Sequence, residues 1–323
     1  AYLNAPDPSD RPTYMFPPNG MASYDTNGEP HVWKVNTNIY GKAAASRAWH
    51  VVHTQGLLDL FPGNNSWHCA QSTADPCVFS FTKTTAGQQT GSVVLSAHVD
   101  DGLFSATNHA LADEFAAALS AKWECTHSRA TAFLGCDIID LTDEASGRRI
   151  IGLSQAKYIE ELGAKFDQLD CDAVTNPLMA IRYADFDNGF AEPGSADETA
   201  MAGFDYRGLT GSLERIAQTT RPDAQRAVHF VAAFQARPSP SAKKWALRVL
   251  QYLVTTRHDV IRWWGPKPGI APPPTQLVVH VDADHASCTK TGRSYTGITY
   301  SVDGAGAPYD WVCERQTSVA KDN

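Results

Sequence analysis

The chain has 323 residues, 43% hydrophobic and 19% charged, an ordinary globular balance with room for two or three compact units. No run approaches the roughly 18 to 20 apolar residues of a membrane span, and no basic-then-apolar leader opens the sequence, so neither a membrane protein nor a secreted one is expected. The formal net charge of −8 argues against a uniformly basic nucleic-acid binder, and seven scattered cysteines without a CxxC pair argue for reduced thiols in an intracellular protein.

In chain order, the stretch through Asn65 is rich in Pro, Gly and Asn, as in PDPSDRPTYMFPPNG, and reads mostly as loop. It holds one short helix, from near Ala43 past Trp49 to Leu60. Val78–Phe81 and Val93–Val99 read as strands. Asp100, Asp101 and Gly102 form the turn, and Leu103–Ala106 return from it, because Asp-Gly between apolar runs is a strong hairpin signal. Leu111, Phe115 and Leu119 recur at helical spacing up to Trp123. TAFLGCDIIDL and RRIIGLSQ read as a strand pair around TDEASG, and a helix follows from about Ser154 to Phe166.

Tyr183 to Asp205 carries six acids and no Lys or Arg, and reads as a mobile loop. From Tyr206 to Arg262 the balance reverses: ten Lys and Arg stand against Glu214, Asp223 and Asp259, a local net of +7. That block contains three helices. One carries Leu209, Leu213, Ile216 and Ala217 on a face, the second starts at Pro222, and the third carries Ala246, Val249, Leu250 and Leu253. A basic block in an acidic chain is the asymmetry of a region that meets phosphates, though a solvated helical surface has the same composition. GPKPGIAPPPT, residues 265–275, is a Pro-rich linker, and QLVVHVDAD, SYTGITYSV and DWVC after it read as three short strands.

The chemistry centres on LSAHVDDGLFSA, residues 95–106. Asp-Asp-Gly can be a plain solvated turn. It can also be two carboxylates led by strands to a tip where they hold Mg²⁺, a hard ion that prefers such oxygens and leaves room for substrate phosphates. The pair alone leaves both readings open. In HVDADH, His280, Asp282 and Asp284 alternate and share one face of a strand. A transition-metal site using His280 and His285 is a further reading, but no other His or Cys spacing supports it.

HVDDGLF resembles the YVDD box of reverse transcriptases, with His98 in place of Tyr. Further matches follow in order. AYLNAPDPSDRPTYMFPP resembles the segment after the first catalytic aspartate of copia-type retrotransposon polymerases. IYGKAAASRAWH resembles their LYGLKQAPRAWY box, ADPCVF their DPCLF, FLGCDI their FLGIEI, and GLSQAKYIEEL their SQ-x-KYI segment. TNPL, YRGLTGSL, TTRPDAQRAV and ALRVLQYLVTT keep the family's order, and HVDADHASCTKTGRSYTGITYSVDG with WVCERQTSVA resembles the opening of the attached ribonuclease H. The resemblance covers almost the whole chain. It implies an α+β fold: a partial right-hand polymerase of fingers, palm and thumb, then an incomplete ribonuclease H-like domain. The implied divisions are 1–152 for fingers and palm, 153–264 for the thumb-like helices, 265–275 for the linker and 276–323 for the start of ribonuclease H.

By the same resemblance, Asp100 and Asp101 are catalytic aspartates that hold Mg²⁺, with Mn²⁺ as a substitute, and Asp282 is the first ribonuclease H carboxylate and metal ligand. Tyr40, Gly41, Lys42, Arg47 and His98 would lie near the incoming nucleotide and primer end, and Phe133, Leu134 and Gly135 would position the primer strand. Ala43, Ala44 and Ser46 stand where the family has Lys, Gln and Pro. Trp49 and Arg47 read equally well as helix packing and a solvated charge. Arg207, Arg215, Arg221, Lys243, Lys244 and Arg248 are the candidate contacts to the nucleic-acid backbone, although Arg221-Pro222-Asp223 also reads as a helix-start device. The implied partners are an RNA or DNA template with its primer, deoxynucleoside triphosphates and other Pol polyprotein segments, with cytoplasmic particles and the nucleus as the setting. The family's further palm aspartate would precede Ala1 by four positions, and its ribonuclease H glutamate would follow the QTSVA-like segment. The sequence-based expectation is therefore a region cut at both ends, with little activity of its own, or a non-catalytic remnant that binds nucleic acid or protein.

Overall fold

In the computed structural model, residues 5–6, 12–63, 66–178, 183–270, 275–284 and 292–319 are described, so His285 and Cys288 lie outside them. The chain divides into two compact units, residues 1–130 and 131–323. Among the described residues no helix is long and apolar enough to cross a membrane, and the six cysteines there are free thiols.

The first unit runs β1 (Thr13–Met15), β2 (Trp33–Val35), α1 (Ala45–Leu58), β3 (Trp67–Gln71), β4 (Val78–Thr85), β5 (Gln88–His98), β6 (Asp101–Ala106) and α2 (His109–Trp123). Strands β3 to β6 form an antiparallel meander in sequence order. Alternation on β4 and β5 buries Phe79, Phe81, Val93 and Leu95, which meet Leu57 of α1 and Leu111 and Phe115 of α2. Phe81 and Phe115 meet edge to face at 4.7 Å. Helix α2 starts where Asn108 Oδ1 accepts the Leu111 N–H at 2.9 Å and stops at Glu124, which takes positive φ. The Pro-rich start is not all loop. β1 and β2 pair with Thr13 opposite Val35, but three-residue strands leave too little periodicity to read.

The catalytic-looking hairpin differs from its sequence expectation by its turn. His98 pairs with Asp101 and Ala97 with Gly102, so the turn is Val99–Asp100, and Asp101 and Gly102 begin β6. Register follows the buried alternation of Val93, Leu95 and Ala97, which overrides the local Asp-Gly signal. Gly102 instead gives room to Leu95, whose Cδ1 would lie 3.2 Å from an added Cβ.

The second unit contains β7 (Ala132–Phe133), β8 (Cys136–Asp140), β9 (Ile150–Ser154), α3 (Ala156–Lys165), α4 (Ala196–Ala200), α5 (Tyr206–Thr219), α6 (Gln225–Ala232), α7 (Pro240–Thr255), β10 (Ile261–Trp264), β11 (Leu277–Ala283), β12 (Arg293–Val302) and β13 (Asp310–Val319), with 3₁₀ turns at Tyr183–Gly189 and Pro222–Ala224. Two antiparallel sheets form, in the orders β10-β9-β8-β7 and β11-β12-β13. Helices α5 to α7 build the larger core from Leu209, Leu213, Ile216, Val228, Val231, Val249, Leu250 and Leu253, joined by Ile159 of α3. Asp205 caps α5 and Ser239 caps α7, the latter with Pro240 in its first turn. The β11–β13 sheet meets these helices through Trp311, whose indole N–H donates to Ala217 O at 2.9 Å. Arg226 covers the Tyr295 ring at 3.8 Å.

The acidic stretch 183–205 is not a loose loop. It holds a 3₁₀ turn and α4, and it buries Phe186, Ala191 and Met201. Phe186 packs on Phe234 at 5.0 Å, and Ser239 Oγ donates to Asn188 O. Asp187, Glu192, Asp197, Glu198 and Asp205 are exposed and mask an apolar spacing that faces the helical core.

Candidate active site

Hairpin β5–β6 carries Asp100 at its turn and Asp101 on the first residue of β6, both exposed, while the strands behind them are anchored in core by Val93 and Leu95. No hydrogen bond or ion pair engages either carboxylate among the described residues. Their oxygens are therefore open to a ligand. Two hard donors suit a Mg²⁺ ion that keeps water and substrate oxygens, rather than a closed protein cage. Among the described residues no group of three or more His, Cys, Asp or Glu converges as a metal cage. His98, opposite Asp101, is also exposed. Trp49 on α1 is buried and donates its indole N–H to the Val99 carbonyl at the turn, so the Tyr40–Trp49 box touches the aspartate hairpin.

Within that box Tyr40 is exposed, Gly41 takes φ 90°, and Lys42 Nζ donates to Thr13 Oγ1 at 3.1 Å. Arg47 is exposed on α1. Lys42 is thus held beside β1, and Arg47 points to solvent.

The other candidates belong to the second unit. Leu134 and Gly135 are the two-residue turn between β7 and β8, at φ 50° and 80°, the pattern of a type I′ hairpin. Arg215 of α5 donates to Leu134 O at 3.1 Å and lies over the Tyr158 ring. Exposed Arg207 donates to Gln235 O at 3.2 Å. Lys243 is half-buried over Phe204, and Lys244 is exposed. Arg248 is half-buried beside a cavity of about 870 Å³ also lined by Asp167, Asp170 and Asp172. Phosphate would meet like negative charge there.

Arg221 is a correction. Its side chain is 3% exposed, and its guanidinium grips Asp223 through two bonds of 2.9 and 2.6 Å while donating to Thr256 O and Oγ1. Tyr252 O–H donates to the same carboxylate at 2.6 Å. Burial pushes the Asp223 carboxyl up, but the bonds from Arg221 and Tyr252 together outweigh it and hold the group below the usual carboxylate range. A buried, bidentate Arg is a structural clamp and does not reach out to a nucleic-acid backbone.

Asp282 is exposed on edge strand β11, and its carboxylate accepts only from Ala283 N, at 2.9 Å, among the described residues. Asp284 on the same face is engaged: it accepts from Tyr295 N at 2.7 Å and lies 3.9 Å from Arg226. Sequence reasoning missed the contact of Arg226 with Tyr295 and Asp284. The partners lie far apart in the chain, and no local motif marks them.

A family model described as "Reverse transcriptase (RNA-dependent DNA polymerase)" matches residues 1–180. The chain is 27% identical over 312 residues to the retrovirus-related Pol polyprotein from transposon TNT 1-94 of Nicotiana tabacum, covering 95% of this chain and 21% of that one. It is 28% identical to the Pol polyprotein from transposon RE2 of Arabidopsis thaliana, covering 96% and 19%, and 27% identical to that from transposon RE1 of the same plant, again covering 96% and 19%. The chain thus spans about a fifth of the length of these curated relatives. No solved structure matches it. Half the chain falls under one family model and nearly all of it aligns with transposon polyproteins, so the chain belongs to the reverse transcriptase (RNA-dependent DNA polymerase) family, as a copia-type reverse transcriptase region.

Proposed function

We propose that this region extends a primer 3′ end along an RNA template, using deoxynucleoside triphosphates, as the polymerase part of a copia-type Pol polyprotein. The observation that carries the reading is the pair of exposed, unengaged carboxylates, Asp100 and Asp101, at the end of a hairpin whose strands are fixed in core. These two residues would hold Mg²⁺, which when bound supplies activation of the attacking hydroxyl and neutralises charge on the leaving phosphate. Core packing behind the pair keeps its backbone from shifting as substrate arrives. His98 offers a flat ring beside Asp101 where the family has Tyr, and Arg47 and Lys42 offer cations to the triphosphate.

Exposed Lys244, Arg207 and Arg215 are the remaining candidates to meet the template–primer backbone, and Phe133 with the Leu134–Gly135 turn is the candidate primer contact. In right-hand terms the β3–β6 meander reads as palm and the α5–α7 bundle as thumb. The β11–β13 sheet reads as the start of a ribonuclease H-like domain, with Asp282 as its first carboxylate; the exposure of Asp282 on an antiparallel sheet supports this. A second reading, nucleic-acid binding without catalysis, is favoured by Ala43, Ala44 and Ser46 standing where the family has Lys, Gln and Pro.

Mn²⁺ titration followed by electron paramagnetic resonance separates the two. The catalytic reading expects binding that weakens about tenfold or more in Asp100→Asn and Asp101→Asn. Undiminished binding in the double variant would remove the catalytic reading and leave the binding one.

A further inference from the structure

Val99 stands at φ 57°, a left-handed conformation that a β-branched residue rarely adopts. The residue is 39% exposed and belongs to none of the buried core clusters. The β5–β6 ladder ends at the His98–Asp101 pair, which leaves the Val99 carbonyl outside the strand pairing. That carbonyl accepts the indole N–H of Trp49.

Trp49 is itself fixed. It is 7% exposed and stacks on His53 at 5.1 Å and 16°, and His53 meets Trp123 at 5.1 Å. Trp123 has its place because residue 56 is Gly, where an added Cβ would lie 2.4 Å from the indole. A row of rings therefore runs from the end of α2 to the aspartate turn and ends in one directed donor. Among aromatic side chains only Trp puts an N–H on the edge of so large a buried ring.

We propose that Trp49 is a positioning residue for the Asp100–Asp101 site: its N–H holds the Val99–Asp100 turn in the conformation that presents both carboxylates. This rests on the reading of the aspartate pair as a metal site. Trp49 touches no substrate. It acts through the backbone of the turn, as outer partners of metal ligands do.

The test compares Mn²⁺ affinity in the whole chain for the unmodified protein, Trp49→Phe, Trp49→Phe with Val99→Asn, and Asp101→Asn. Phe keeps most of the buried ring and removes the donor; Asn tolerates positive φ. The expected result is about a tenfold loss of Mn²⁺ affinity in Trp49→Phe with a nearly unchanged melting temperature, and recovery of most of it in the double variant. A merely structural tryptophan gives no such rescue. Wild-type affinity in Trp49→Phe, or a loss that Val99→Asn does not repair, overturns the proposal. Should Trp49→Phe not fold, ¹⁵N-indole exchange in the unmodified chain decides. A slowly exchanging Trp49 N–H supports the hydrogen bond, and a freely exchanging one overturns it. Asp101→Asn keeps the two failures apart. If it leaves Mn²⁺ binding intact, the metal-site reading falls and takes the positioning role with it. If it abolishes binding while Trp49→Phe does not weaken it, only the role of Trp49 falls.

Discussion

At the scale of single residues, the two kinds of charge on this chain behave oppositely. Asp100 and Asp101 are exposed and engaged with nothing, so replacing either with Asn is expected to shift folding stability by no more than about 0.5 kcal/mol in urea unfolding, while changing ligand binding. Arg221 is buried and makes four hydrogen bonds, and Arg221→Ala removes the guanidinium partner of Asp223 and of the Thr256 carbonyl. The expected cost is about 3 kcal/mol, the low end for a broken buried pair because the Asp223 side chain is still 41% exposed. The same clamp gives a pH dependence. The Asp223 carboxyl is held below its ordinary value in the folded state, so its contribution is present above the unfolded carboxylate range near pH 4 and is lost as pH falls through the lower folded value. Thermal unfolding of wild type between pH 6 and pH 3 should show a fall that Asp223→Asn flattens. An equal fall in both would assign the acid sensitivity elsewhere.

At the scale of elements, the β7–β8 turn shows how a short motif is built. Gly135 sits at φ 80°, and an added Cβ would lie 2.7 Å from Arg215 Nη2. Gly135→Ala should therefore cost about 1–2 kcal/mol from the left-handed backbone alone and free Arg215 from Leu134, measurable as a lower urea midpoint; an unchanged midpoint would show that the turn relaxes at no cost. Much at this scale was legible in the sequence. The alternation of β5 and the helical spacing of α5 and α7 were readable because β5 buries every second residue from Gly91 to Ala97 and each helix buries one face over ten or more residues. Strands β1, β7 and β10, of two to four residues, carry too few positions for a period to emerge. The hairpin turn was expected at Asp100–Gly102 and lies at Val99–Asp100, because the Asp-Gly signal is local while register is set by core on the whole strand. The aspartate pair itself was readable only through the order of many motifs. The Trp49–Val99 bond, spanning 50 residues, and the burial of Arg221 against residue 256 leave no mark in either local stretch.

At the scale of the whole molecule, charge decides how nucleic acid can bind. The chain is net acidic, yet 206–262 carries a local +7, and burial or acidic surroundings withdraw Arg221 and Arg248 from that total as phosphate contacts. Binding of a duplex to the whole chain should weaken linearly on a log–log salt scale. Lys244→Ala should reduce the slope by about one, and Arg221→Gln should not reduce it in molecules that remain folded. A slope insensitive to Lys244 would place the binding face elsewhere. Residues 124–130, at the end of the first unit, are exposed and without regular structure, so limited trypsin digestion should cut first near Arg129. Early cleavage within 206–262 instead would mean that the helical core opens more readily than its burial implies. The central claim, that Asp100 and Asp101 serve nucleotidyl transfer, is tested most directly by primer extension on an RNA template with Mg²⁺, using a Pol product that contains this region. Incorporation should fall by about a hundredfold or more in Asp101→Asn with template–primer affinity unchanged; undiminished incorporation in that variant would contradict the account.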